Sequence, residues 1–282
     1  KSSNAATIQF SQNNSLGDEA YTLQVSTKKI SIQAKTGKGA FYALQTLLQL
    51  MPAQIYAGTA IAGPISIPNV NIQDEPRFSY RGLMLDVGRY FYSVESVKRF
   101  LDLMAVYKMN TFHWHLTDSP AWRIEIKKYP ELTRIGARGT ETDRRKEAPA
   151  QFYTQEQIKE IVAYAKARHI IVIPEIDMPG HADAAVRSYP QHDGGGYEKW
   201  PHFTFNPAKP ETLTFLDDIL TEVAALFPDA GVIHFGGDEV HFGWQQWPKL
   251  PEVQALMKKE NLKDLAAVET WFNRRMAKKI NA

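Results

Sequence analysis

The sequence predicts an α/β protein in which a small α+β domain, residues 1–75, precedes a larger βα domain, residues 76–282. Three observations favour this fold class. The chain has 282 residues, enough for one barrel of about 250 residues with an appendage. After Phe78, short apolar segments alternate with amphipathic segments, as strands and crossover helices do in a parallel sheet. Ionisable residues follow each apolar segment, which indicates that the predicted strands end at one common face.

The first 75 residues combine strand and helix patterns. Apolar and polar residues alternate in two short runs, and a longer apolar run follows Gly39 and ends before Pro52. The predicted elements are a hairpin over 21–25 and 30–34, a helix over 40–50 and a short strand at 65–67. The segment 73–76 is polar and contains a proline, so the domain boundary is predicted there.

The larger domain is predicted to alternate strands with helices. The predicted strands, each apolar through its middle, are 82–86, 111–116, 170–175 and 232–235. The predicted helices are 97–104, 158–165 and 213–223, the second of them opened by a capping box of Thr154 and Gln157. This order predicts a (β/α)8 barrel of the TIM type, in which long loops after the strands carry the functional residues.

Charge and composition exclude several classes of protein. The 33 Lys and Arg against 31 Asp and Glu leave a formal charge of +2, which argues against nucleic acid as a partner. No window approaches about 18 consecutive apolar residues, so no membrane span is expected, and the start at Lys1 has no apolar signal segment. Cysteine is absent, which excludes thiol chemistry and disulfides. We expect a secreted or periplasmic location, although the absence of cysteine fits the cytosol equally well.

Ionisable residues follow the predicted strands in four groups. They are Asp86 and Arg89, then His113, His115 and Asp118, then Glu175, Asp177 and His181, and finally Asp238 and Glu239. Because the carboxyl ends of parallel strands share one face, residues distant in sequence become neighbours around a single pocket. The alternative is that these polar residues only mark where each strand reaches solvent.

The most specific group is the frame His-Phe-Gly-Gly-Asp-Glu at 234–239. Its two glycines allow close approach of the backbone, after which the chain presents Asp238 and Glu239 together at the predicted pocket. Two carboxylates with different roles are what cleavage of a glycosidic bond needs. The frame therefore favours a glycosidase.

Four motifs occur in order along the chain. They are Tyr-Arg-Gly-Leu-Met-Leu-Asp at 80–86, Phe-His-Trp-His-Leu-Thr-Asp at 112–118, Pro-Glu-Ile-Asp-Met-Pro-Gly-His at 174–181 and His-Phe-Gly-Gly-Asp-Glu-Val at 234–240. This set resembles the motifs of family 20 glycoside hydrolases, the β-N-acetylhexosaminidases. The small domain before Pro76 also resembles the α+β domain that precedes the catalytic barrel in that family, so the likeness covers nearly the whole chain.

The resemblance implies a retaining glycosidase that removes terminal β-linked N-acetylhexosamine, GlcNAc or GalNAc, from an oligosaccharide or glycoconjugate, with the sugar's own acetamide as nucleophile. By motif position, Glu239 is the general acid and base, and Asp238 orients the acetamide and stabilises the oxazolinium ion. Arg81 is expected to hold sugar hydroxyls, and Asp118 and His181 are expected to pair near the acid. This scheme implies no cofactor and no metal.

Two other functions stay open at this point. One is a metal-dependent barrel hydrolase, for which ligands to Zn²⁺ are available in His113, His115, His181, His234 and Asp238. That hypothesis leaves the Gly-Gly-Asp-Glu frame unexplained. The other is a noncatalytic module that holds a glycan without cleaving it, against which the intact acidic pair argues.

The sequence departs from the family pattern after the fourth predicted strand. From Pro251 to Ala282 the pattern is helical, so the barrel is expected to be truncated after the fourth βα unit. The aromatic residues that wall the acetamide in the family belong to later strands; Trp114, Trp122 and Trp244 are candidates for stacking on sugars, although tryptophan is more often a core residue. Because an incomplete barrel leaves a strand edge unpaired, the 282-residue chain alone is expected to associate or to be marginally stable. It is also expected to be a poor catalyst, because the aromatic wall that presses the acetamide into position is absent.

Overall fold

The computed structural model describes residues 7–60 and 62–280. The elements of the first part are β1 (Thr7–Gln12), β2 (Tyr21–Val25), β3 (Lys29–Ala34), α1 (Gly37–Gln49) and β4 (Val70–Asp74). The elements that follow are β5 (Gly82–Asp86), α2 (Val94–Val106), β6 (Thr111–His115), α3 (Glu131–Arg134), α4 (Gln155–Lys166), β7 (Ile171–Glu175), α5 (Asp183–Ser188), β8 (Asp193–Gly195), β9 (Thr204–Phe205), α6 (Pro210–Leu226), α7 (Pro251–Lys259) and α8 (Leu265–Ile280).

The chain packs into two compact units. Unit 1 comprises the residues up to Gly82 together with Arg99–Thr111 and Ala167–Ile170. Unit 2 comprises Leu83–Lys98, Phe112–Lys166 and the chain from Ile171 onward. Each unit is therefore formed by several separate stretches of the sequence. The domain boundary at 73–76 stays a prediction.

Unit 1 contains a four-stranded sheet in the order β1-β3-β2-β4. The predicted hairpin is confirmed, since β2 and β3 pair antiparallel, while β4 pairs with the other edge of β2. The strand predicted at 65–67 is wrong, because the strand in this part of the chain is β4. Pro64 and Pro68 flank the predicted segment and have no backbone N–H to donate to a ladder.

The core of unit 1 lies between this sheet and α1. The helix begins after Thr36, whose hydroxyl accepts hydrogen bonds from the amides of Lys38 and Gly39. Its apolar face is buried against the inward side chains of the hairpin, in a cluster that includes Leu23, Ile32, Tyr42, Ala43 and Leu47. This alternation of inward and outward residues in β2 and β3 is what the sequence pattern predicted.

Unit 2 is built on the sheet order β5-β6-β7. These strands confirm the predicted strands at 82–86, 111–116 and 170–175 to within one residue at either end. The strand predicted at 232–235 is wrong, because this segment makes only a single parallel bridge between His234 and Glu175. Gly236 and Gly237 follow with positive φ angles and turn the chain away, which ends the pairing. The chain is thus a mixed α/β protein.

Helix α4 packs against β7 in unit 2. The capping box of α4 is confirmed: the Thr154 amide donates to Gln157 Oε1 at 3.0 Å, and the Gln157 amide donates to Thr154 Oγ1 at 3.2 Å. The helical pattern predicted after Pro251 forms α7 and α8, and its last two positions, 281 and 282, lie outside the described residues. None of the helices in the described ranges has the length and apolar character needed to cross a membrane.

Replacing Thr154 by Ala tests whether the capping box stabilises α4. The Thr154→Ala variant is expected to lose about 1 kcal/mol of unfolding free energy, because the Gln157 amide loses its acceptor. Urea unfolding measures the loss. Thr214→Ala is the control, since the Thr214 hydroxyl only bonds to the Pro210 carbonyl one turn earlier in α6. Equal losses in both variants would contradict the assignment.

Candidate active site

Backbone hydrogen bonds bring together the carboxyl ends of β5, β6 and β7 and the bridge residue His234. These bonds run from Val87 N to His115 O, from Leu116 N to Glu175 O and from Ile176 N to His234 O, at 3.0 to 3.2 Å. The side chains that follow the strands therefore surround one rim. The rim residues of unit 2 are Arg89, Asp118, Asp177, His181, Asp238 and Glu239.

The acidic pair is presented by a tight turn. Gly236, Gly237 and Glu239 adopt φ angles of +62°, +85° and +56°, in the left-handed region that favours glycine. The Gly237 amide donates to Asp177 Oδ1 at 3.1 Å, so the turn rests on that buried carboxyl. A Cβ at position 236 would lie 2.0 Å from the same oxygen, and only glycine fits there. The turn leaves the side chains of Asp238 and Glu239 65% and 51% exposed.

His181 connects the acidic pair to a buried carboxylate. Its Nε2 atom lies 3.6 Å from Asp238 Oδ2 and 3.5 Å from Glu239 Oε2, while its Nδ1 atom lies 3.0 Å from Asp118 Oδ1. Phe203 packs edge-on against the imidazole at 4.7 Å and fixes its orientation. Burial opposes the charged form, but the bond to Asp118 prevails and raises the pKa of His181. His181 can therefore hold a proton beside the acidic pair.

Asp118 is buried, and several donors surround its carboxylate. Its Oδ2 atom lies 2.8 Å from Arg89 Nη1 and 3.0 Å from His115 Nε2, and the Ser119 amide donates to Oδ1 at 2.6 Å. Burial alone would raise its pKa, but the bonds from His115 and His181 hold the pKa of Asp118 well below its usual range. Asp118 therefore stays ionised and holds the two imidazoles and Arg89 in place.

Asp177 lies beneath the turn and behaves differently. Burial raises its pKa to about 7, and the charge of nearby Asp238 acts in the same direction. The Gly237 amide is its hydrogen-bond donor, and its own amide donates to Thr117 Oγ1. Asp177 can therefore be protonated near neutral pH, which lessens repulsion with the acidic pair.

Imidazole and carboxylate groups of the kind that bind metals meet at four places in the described residues. The groups are His113, Glu175 and His234; Asp86, His115 and Asp118; His115, Glu175 and Asp177; and Asp177, His181 and Asp238. The five ligands of the zinc hypothesis are thus divided among different groups and do not converge on one ion.

Arg81 belongs to unit 1 and directly precedes β5. Its guanidinium lies 2.8 Å from Glu19 Oε2 and donates to the Tyr42 hydroxyl and to the carbonyls of Lys108 and Phe78. These bonds occupy the donors of Arg81 inside unit 1, which corrects its expected role of holding sugar hydroxyls. Arg89 follows the carboxyl end of the same strand and bonds to Asp118.

The tryptophans predicted as candidates for sugar stacking differ in exposure. Trp114 and Trp122 are 0% and 2% exposed, so both are core residues. Trp244 is half-buried and packs against Trp247 in a separate apolar cluster. The sequence reasoning did not single out Tyr197, whose pKa is raised by burial and by the nearby charge of Glu239. In the sequence, only the position of Tyr197 in a long loop after β7 points to a place near the site.

Two family profiles match the chain. The profile described as "Glycosyl hydrolase family 20, catalytic domain" matches residues 78–282, and "Glycosyl hydrolase family 20, domain 2" matches residues 1–75. Together they cover almost the whole sequence. The chain belongs to glycosyl hydrolase family 20.

Named relatives agree with this assignment. A β-hexosaminidase of Porphyromonas gingivalis is 44% identical over 91% of this chain and 33% of its own length, and one of Vibrio furnissii is 42% identical over 99% and 46%. The crystal structure of a family 20 exo-β-N-acetylglucosaminidase from Vibrio harveyi, in complex with N-acetylglucosamine, matches with a TM-score of 0.88 and 41% identity over 99% of this chain and 45% of that one. The chain spans less than half the length of each of these proteins.

Replacing Gly236 by Ala tests the close approach of the turn to Asp177. Both Gly236→Ala and the control Gly231→Ala place a side chain at positive φ, at a cost of about 1–2 kcal/mol. Only position 236 adds a collision, because a Cβ at position 231 meets nothing within 4 Å. Gly236→Ala is expected to lose an additional ~1–3 kcal/mol of unfolding free energy in urea. Equal losses would show that the turn does not depend on this contact.

Proposed function

We propose that the protein carrying this chain removes terminal β-linked N-acetylhexosamine from oligosaccharides or glycoconjugates by a retaining, substrate-assisted mechanism. The proposal rests on the adjacency of Asp238 and Glu239, both within 3.6 Å of one buried imidazole, His181. Membership of family 20 supports it. The complex of the Vibrio harveyi relative with N-acetylglucosamine supports that sugar as the one released.

In the first step, Glu239 gives its proton to the glycosidic oxygen as the bond from that oxygen to the anomeric carbon breaks. The acetamide oxygen of the same sugar forms the new bond to the anomeric carbon. Asp238 accepts a hydrogen bond from the acetamide N–H and balances the positive charge of the resulting oxazolinium ion. The side chains of Asp238 and Glu239 are exposed, so their carboxylate oxygens are accessible to a sugar.

In the second step, water attacks the anomeric carbon and gives a proton back to Glu239. The bond to the acetamide oxygen breaks, and the product retains the β configuration. His181, held by Asp118 at 3.0 Å, keeps the acid oriented between the two steps. Arg89 replaces Arg81 as the proposed donor to sugar hydroxyls, because its side chain stays 40% exposed while two carboxylates hold Nη1.

The proposed scaffold for this chemistry is a (β/α)8 barrel to which β5, β6 and β7 contribute neighbouring strands. The order of these strands and the bridge from Glu175 to His234 support it. A secreted or periplasmic location is proposed with it, because polymeric glycans are encountered outside the cytoplasm.

Glu239→Gln tests the acid role in the intact enzyme that carries these residues. Turnover of N,N'-diacetylchitobiose is expected to fall by about 10²–10⁴-fold, because its sugar leaving group needs a proton. Turnover of an aryl N-acetylglucosaminide with an acidic phenol should fall far less. Asp238→Asn is the matched comparison and should impair both substrates, because the oxazolinium ion forms as either leaving group departs. Equal losses in Glu239→Gln on both substrates would remove Glu239 from the acid role.

Treatment with a chelator separates this function from the metal-dependent hydrolase. Activity is expected to survive, because the acetamide supplies the nucleophile and Glu239 supplies the proton. The metal-dependent hydrolase would be favoured if the enzyme contained stoichiometric zinc, lost its activity when the chelator removed the zinc, and recovered it when zinc was added back. Binding of chitobiose without turnover would favour the noncatalytic module.

A further inference from the structure

Glu175 is a buried carboxylate that the proposed mechanism leaves without a role. It is 4% exposed and lies at the carboxyl end of β7. Three imidazoles converge on it: His113 Nε2 at 2.6 Å, His115 Nδ1 at 2.8 Å and His234 Nδ1 at 3.1 Å. Burial alone would raise the pKa of Glu175, but the three neighbouring histidines lower it, so the ionised carboxylate is favoured.

His115 lies between two carboxylates. Its Nδ1 atom faces Glu175 and its Nε2 atom lies 3.0 Å from Asp118 Oδ2. Only the contact with Asp118 has hydrogen-bond geometry, whereas the contact with Glu175 is a close ion pair in which the ring faces a second carboxylate. Burial opposes a charge on this ring, yet the two carboxylates raise the pKa of His115 to about 10. The two carboxylates therefore favour the charged form of His115.

The contacts form a continuous chain from Glu175 through His115, Asp118 and His181 to Glu239. The successive distances are 2.8, 3.0, 3.0 and 3.5 Å. We propose that Glu175 is a positioning residue that acts through this chain to set the pH at which Glu239 loses its acidic proton. The inference rests on the proposed role of Glu239 as the acid.

Removing the charge of Glu175 acts on the acid while His115 keeps its proton. One negative charge has then left the chain, and carboxylic acids nearby ionise at lower pH. The variant is therefore expected to move the ionisation of Glu239 to lower pH.

Other charged groups face the chain and stay unchanged in this comparison. Arg89 pairs with Asp118, and Asp86 pairs with Arg89. Asp177 and Asp238 act on His181 through their charges, and Tyr197 lies near Glu239. Asp177 also lies close to Glu175 and accepts the Gly237 amide in the turn that carries the acidic pair, so it offers a second route from Glu175 to Glu239.

Glu175→Gln in the intact enzyme tests the inference, with N,N'-diacetylchitobiose as substrate. The alkaline limb of the pH profile of kcat/KM is expected to move to lower pH by about half to one unit. Glu175→Asp keeps the charge and should restore the limb toward its original position. Glu222→Gln is the control for loss of a structural carboxylate, because Glu222 accepts the amides of Lys127 and Lys128 away from this chain. That variant should leave the limb in place.

A folded Glu175→Gln variant with an unchanged alkaline limb would overturn the inference. If that variant does not fold, ¹⁵N NMR of the His115 ring in the unmodified enzyme decides instead. Two protonated ring nitrogens at pH 8 are expected, and a neutral ring at this pH would overturn it. Failure of the proposed function would be seen separately, in an unmodified enzyme that does not cleave chitobiose or in a Glu239→Gln variant that retains chitobiose turnover. Either result would contradict the proposed function and, with it, the inference about Glu175.

Discussion

The buried carboxylate of Asp118 is the group on which the rest of the rim depends. Its partners come from three strand ends: Arg89 follows β5, His115 ends β6 and His181 follows β7. An ionised carboxylate at 2% exposure is stable only while these donors surround it. Loss of one partner from such a buried pair typically costs about 3–5 kcal/mol, because the remaining charge is left uncompensated. Asp118 therefore ties together the segments that position the acidic pair.

The same bonds set the pH range in which the rim is stable. Burial works against the ionised form of Asp118, but His115 and His181 lower its pKa, so its stabilisation is present above the ordinary carboxyl value of about 4 and lost as pH falls further. His115 shows the opposite case, since its pKa is raised to about 10. Its contribution is present below the ordinary imidazole value of about 6.5 and lost as pH rises through about 10. The ion pair of Asp118 and His115 therefore contributes in full between about pH 4 and about pH 6.5.

Much of this site could be predicted from the sequence, because apolar strands followed by ionisable residues place those residues at one sheet edge. Asp118, His181, Asp238 and Glu239 are brought together as the pattern predicted. Arg81 and Arg89 show what the pattern cannot settle: they flank the same strand, and only the contacts of Arg81 with Glu19 and Tyr42 reveal that its donors are used in unit 1. The segment 232–235 has an apolar strand pattern, but the positive φ angles of Gly236 and Gly237, which end its pairing, are tertiary features. The same holds for Glu175, whose role depends on three histidines brought together by folding.

The most direct measurement of the central claim, that the substrate's own acetamide attacks while Asp238 and Glu239 assist, uses fluorinated substrates. Turnover by the intact enzyme would be compared for aryl glucosaminides that carry acetyl, fluoroacetyl, difluoroacetyl and trifluoroacetyl groups on the nitrogen. Fluorine withdraws electron density from the amide oxygen, so kcat is predicted to fall with each added fluorine while the product keeps the β configuration. A rate independent of fluorination, or a product of inverted configuration, would contradict the account.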